Sequence, residues 1–138
     1  MVVSAMAGVT NNLIDLVKST SDRPSHSEYD VVLSTGEQVT SALLATALNN
    51  LKIKARSWLG WQVPIISDNS YGKAVIEEIK TDNIFGFLKK NQVAIISGFQ
   101  GISEENRITT LGRGGSDTSA VAIAASFSAE RCDIYTDV

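Results

Sequence analysis

Two runs limit what this chain can fold into: "MVVSAM" at residues 1–6 and "QVAIISGFQG" at residues 92–101. Both are continuously apolar through their centres rather than alternating, and both carry valine or isoleucine. Strands of that kind are buried on two faces, the condition of a parallel sheet covered by helices. Helical patterns lie between and after them. Thr10 or Asn11 can cap a helix that carries Leu13, Ile14, Leu16 and Val17. From Glu37 to Leu51, Val39, Leu43, Ala47 and Leu51 share one face with Leu44 and Leu48 beside them. Residues 82–90 fit a helix that ends in Lys89 and Lys90, a favourable charge at that end of the dipole. An Ala-rich helix is expected over 119–130. "KARSWLG", residues 74–79 and "CDIYTDV" read as further strands, with an irregular stretch before residue 74. The expectation is an α/β fold: a three-layer α/β/α sandwich in which strands alternate with helices and right-handed crossovers build a mostly parallel sheet.

Composition removes several function classes. A chain of 138 residues, 43% apolar and 20% charged, fits one globular domain. The net charge of −3, with Lys and Arg scattered, leaves no nucleic-acid footprint. Cys132 is the only cysteine, so no intrachain disulfide forms and a reducing compartment is the simpler assumption. Residues 1–9 lack the basic leader of a signal peptide, and no uncharged apolar run reaches the roughly 18 residues of a membrane span. A cytoplasmic protein without membrane or nucleic-acid partners is expected. One Cys and one His leave no zinc site, and no metal-binding residues are assigned. A Ser-His-Asp triad would have to use His26, which lies in the polar stretch 19–28 and reads more simply as a solvated loop residue.

The segment "TTLGRGGSDTSAVAIAA", residues 109–125, carries the most chemistry. Gly112, Gly114 and Gly115 allow positive φ and close approach to a ligand. Ser116 or Asp117 can cap the helix expected near Thr118. A helix start offers free N–H groups to an anion, and Arg113 adds a fork for a carboxylate or phosphate. No Gly-Lys-Ser/Thr follows, so it is not a Walker loop. From spacing alone, a small-anion site and a tight strand-to-helix turn both fit. Glu37, after "LSTG", is either a first-turn carboxylate that favours the helix dipole or a fixed anion for a ligand amine. Ser4, Gly98 to Gln100, the Gly-rich loop and Thr136-Asp137 all fall at expected carboxyl ends of strands, where such folds bind ligands.

Together, "MVVSAMAGVTN", "LSTGEQVTSALLA", "GWQVPI", "SGFQG", "TTLGRGGSDTSAVAIAA" and "CDIYTDV" resemble aspartate kinases of the amino-acid kinase superfamily, in the family's order and over nearly the whole chain. The resemblance implies that the β-carboxylate of L-aspartate attacks the γ-phosphate of MgATP, the step that opens lysine, threonine and methionine synthesis. It puts Ser4 and Asp117 at the reacting groups, and Ala5 and Thr10 by the substrate or transferring phosphate. Glu37 matches the acid that binds the substrate amine, and Arg113 the arginine that grips its α-carboxylate. Gly115 and Ser116 shape the same pocket, while Thr136 and Asp137 begin the nucleotide-binding segment. ATP with Mg2+ is the implied co-substrate. Against the family pattern, residues 1–138 make a partial catalytic domain, without the Lys-x-Gly-Gly loop, the later nucleotide segment or ACT domains. Two functions follow: a kinase segment, active only if another chain or a longer product supplies the missing parts, with a homo-oligomer or a complementing chain as the expected partner, or an inactive remnant that serves at most as an aspartate-binding or assembly module.

Overall fold

In a computed structural model, residues 1–136 are described. The two apolar runs do meet in one sheet. β1 (Val2–Val3) and β2 (Ala55–Trp58) flank β5 (Val93–Ser97), all parallel, with Val2 opposite Ile96 and Trp58 opposite the same residue. The period of a strand divides β5 between two helical layers. Ser97 faces α2 (His26–Asn50), where its hydroxyl lies 2.9 Å from that of Ser41. Ala94 and Ile96 face the other way, into a core with Ile84 of α3 (Asp82–Leu88) and Ile123 of α4 (Gly115–Ser126). Helices therefore cover both sides of this sheet, as the α/β expectation requires.

The strict alternation of strands and helices does not hold. A second sheet, in the order β4-β3-β6-β7, is built from β3 (Ile65–Ser67), β4 (Ile76–Ile79), β6 (Gln100–Ser103) and β7 (Ile108–Thr110). β3 and β6 are parallel, but β3–β4 and β6–β7 are antiparallel hairpin pairs. Short turns around Gly72 and Asn106, both at positive φ, connect those pairs without a crossover helix. Three of the five pairings remain parallel.

Several expected boundaries move. Gly8, at φ 79°, rather than Thr10 or Asn11, precedes α1 (Val9–Thr20). The long helix begins at His26, not Glu37; only the Pro24 neighbourhood stays non-helical. α4 begins at Gly115, four residues before the expected start, after Gly114 at φ 70°. Ser116 and Asp117 therefore lie within its first turn and do not cap it. Residues 131–136 form no strand, and the rest of "CDIYTDV", including Asp137, lies outside the described residues. Trp58 is core, edge-on to Phe87 at 5.6 Å, whereas Trp61 is exposed.

α2 passes the length and composition test for a membrane span. It packs one face against α1, β2, β5 and β7 and turns the carboxylates of Asp30 and Glu37 inward, while Val39 and Leu43 on the other face are exposed.

Candidate functional site

Early extension of α2 decides the site. Tyr29, Leu33 and Glu37 follow one another at i, i+4 and i+8, on one stripe of the helix. They form one wall of a cleft of about 510 Å³. Glu37 lies nearly three turns inside the helix, so its carboxylate does not serve the helix dipole. One oxygen, Oε1, accepts the Ala5 amide at 2.9 Å. The other, Oε2, is buried without a hydrogen-bond partner among the described residues. Only 4% of Glu37 is exposed. Burial raises its pKa above the ordinary carboxylate value, and the Ala5 amide opposes that shift. An acid held this way is poised to receive a cation.

Gly36 makes that contact possible. It is a buried glycine within α2, and a Cβ there would come within 2.9 Å of the Ala5 Cβ. The helix thus passes close to the exit of β1, where Ser4 lines the cleft and Ala5 is consumed by Glu37.

The opposite wall is the Gly-rich loop. Gly112 and Gly114 adopt φ 77° and 70°, conformations in which an L side chain is strained. The Gly115 amide bonds Gly112 O at 3.0 Å, and the Thr118 amide bonds Gly114 O at 2.9 Å. Between them, the Ser116 and Asp117 amides make no such bond among the described residues at the positive end of α4, an arrangement suited to an anion. Arg113 lines the cleft, is exposed, and has no ion pair or hydrogen bond among the described residues. The loop is braced from β5: a Cβ on Gly98 would stand 3.0 Å from Ser116 Cα, and the Phe99 amide donates to Ser119 Oγ at 3.0 Å.

One cleft thus joins Ser4, Thr10, Glu37, Arg113, Gly115, Ser116 and Asp117. Ala5 is adjacent through its amide, Thr136 does not line the cleft, and Asp137 is outside the described residues. Phe99 and Thr110, from segments the sequence placed near the site, also line it, whereas Tyr29 and Leu33 line it unforeseen. The four-residue spacing of Tyr29, Leu33 and Glu37 is a signal that a helix traced back to His26 would have exposed.

The amino acid kinase family model matches residues 1–138, the whole chain. The chain belongs to the amino acid kinase family. Within that family its likeness is to aspartate kinases. It is 56% identical over 141 residues to an aspartokinase of Rickettsia conorii and 51% identical over 138 residues to one of a Bacillus species. Both alignments cover 100% of this chain but 35% and 34% of those proteins, so the chain spans about a third of their length. The aspartate kinase of Synechocystis matches with a TM-score of 0.80 and 46% identity, over 99% of this chain and 22% of that one. E. coli aspartokinase III, solved with aspartate and ADP, matches with a TM-score of 0.78 and 28% identity, over 93% of this chain and 29% of that one. An amino acid kinase chain similar to aspartate kinases is therefore the setting of the cleft.

Proposed function

We propose that the cleft binds L-aspartate and that this segment serves transfer of the γ-phosphoryl group of MgATP to the β-carboxylate. The unpartnered, buried Glu37 Oε2 carries this reading, because it supplies a desolvated acceptor for an ammonium group. Arg113, uncommitted on the other wall, takes the α-carboxylate as a bidentate partner. Binding the two ends of a zwitterion leaves its side-chain carboxylate as the remaining reactive group. That group is ionised at neutral pH, its reference pKa being about 3.9, so no general base is needed. Attack forms an O–P bond to the γ-phosphorus as the bond to the ADP oxygen breaks. Positioning and charge stabilisation then carry the catalysis.

Ser4 and the amides of Ser116 and Asp117 take the transferring phosphate in this reading, with Ala5 and Thr10 beside them, while Gly115, whose missing Cβ leaves room for Phe99, shapes the pocket. Thr136 and Asp137 belong to the nucleotide side in this reading. Among the described residues no group of three or more His, Cys, Asp or Glu is placed to hold a metal. In this reading Mg2+ arrives with the nucleotide, since it is ordinarily bound by one or two carboxylates plus substrate phosphates. Asp117 is the exposed carboxylate of the cleft that would face it. Bound there, Mg2+ would neutralise phosphate charge. A homo-oligomer or a complementing chain belongs to this reading. A cytoplasmic site of action and a partial catalytic domain belong to the same reading.

Calorimetry with L-aspartate and succinate tests it. Succinate keeps both carboxylates and lacks the amine, so it should bind far more weakly; equal affinity would remove the role given to Glu37. ADP release from MgATP in the presence of aspartate separates the two functional readings. Binding without release supports the assembly-module alternative.

A further inference from the structure

Asp30 is a fully buried carboxylate on α2, two helical turns before Glu37. No cation pairs with it among the described residues. Instead three donors converge on it: the Gly72 amide at 2.9 Å and the Thr110 amide at 2.7 Å on Oδ2, and the Thr110 hydroxyl at 2.9 Å on Oδ1. Burial of a charge is costly unless such donors replace water, so the acid persists here because two backbone segments meet on it.

Both segments are walls of the cleft. Gly72 and Thr110 line it, and Thr110 leads through Leu111 directly into the Gly-rich loop. The two segments are also locked to each other. The Ala74 amide donates to Thr110 O at 2.9 Å, and a Cβ on Gly112 would lie 3.2 Å from Gly72 O. A displacement of Gly72 or Thr110 is therefore passed to Gly112, the neighbour of Arg113. At the other end of the same helical stripe, Glu37 holds the Ser4-Ala5 segment through the Ala5 amide.

We propose that Asp30 is a positioning residue, whose carboxylate sets the separation of the two cleft walls by tying the Gly72 and Thr110 segments to the helix that carries Glu37. It touches no substrate and acts through Arg113 and its loop. The role rests on the reading that the cleft binds aspartate. A ligand gripped at both ends is sensitive to that separation, since a shift of about 1 Å in the positioning of a reacting group can cost about a hundredfold in rate, and the hydrogen-bonded grip at either end is lost over a similar distance.

Two measurements on the 138-residue chain test it. Hydrogen exchange is read first, since it needs no ligand. Asp30→Asn puts an NH2 group where an acceptor stood; exchange should accelerate at residues 70–74 and 108–116, with β5 still protected. Unchanged exchange in those segments, or equal loss throughout the chain, would overturn the proposal. Calorimetry with L-aspartate is read second. Asp30→Asn should weaken binding tenfold to a hundredfold, and Thr110→Val, which removes only the hydroxyl donor, by a smaller factor. Ile84→Val, a core truncation away from the cleft, should lower the melting temperature with no change in affinity. If affinity follows melting temperature across all three variants, Asp30 is merely structural and the proposal fails. If the unaltered chain binds no aspartate, the reading of the cleft fails, while the exchange result still decides whether Asp30 holds its walls.

Discussion

A Cβ built on Gly36 would lie 2.9 Å from the Cβ of Ala5, so α2 and the exit of β1 touch at a distance only glycine permits. Gly36→Ala therefore sets a gain in helix propensity of about 1 kcal/mol against overpacking of about 1–3 kcal/mol. Overpacking wins, because the opposing methyl is fixed to a backbone that Glu37 already holds. A lower melting temperature, together with weaker aspartate binding, is expected; a stabilised variant would contradict the close approach.

Glu37→Gln keeps an oxygen for the Ala5 amide and removes the charge. A hydrogen bond to a charged group contributes about 1.5–3 kcal/mol, so aspartate affinity should fall by roughly 10- to 150-fold. Calorimetry measures this, and the fold should survive. Glu37→Ala should abolish binding.

The same substitution has a pH signature. Burial raises the Glu37 pKa above the ordinary value of 4.5 in the folded chain. Folding thus favours the protonated acid: its contribution is complete below the unfolded value and is lost as pH rises through the folded one. Glu37→Gln does not titrate there, so its melting temperature relative to wild type should increase from about pH 4 to about pH 7. A difference that stays constant with pH would count against the buried carboxylate.

Arg113 is exposed and without a protein partner among the described residues, so its removal should leave stability within about 0.5 kcal/mol of wild type. Arg113→Ala should nonetheless abolish measurable aspartate binding. Arg113→Lys should recover only part of it, because an ammonium cannot reproduce the bidentate fork. Melting curves and calorimetry on the same samples check both halves.

Ser119 is fully buried, accepts the Phe99 amide and donates to Gly115 O at 2.7 Å. Ser119→Ala leaves the Phe99 amide without its acceptor, a loss of about 1–3 kcal/mol. Denaturant unfolding should show it, with faster amide exchange at Phe99.

What the sequence determined by itself is local. A continuous apolar run such as 93–97 needs cover on both faces wherever it lies, and glycines at 112 and 114 carry their backbone freedom with them. Tertiary structure decided what depends on which segments meet. The Ala5–Glu37 bond spans 32 positions and the Asp30–Thr110 bonds span 80. No pattern among near neighbours distinguishes an acid that will be buried against such donors from one left in water. The hairpin pairs of the second sheet escaped periodicity because three- and four-residue strands are too short to display it. The start of α2 was hidden by the polar stretch after Pro24, where packing against α1 and the sheet outweighs weak local propensity. Desolvation is a property of the assembled interior, so the unpartnered, buried oxygen of Glu37 exists only once α2 has packed against the exit of β1.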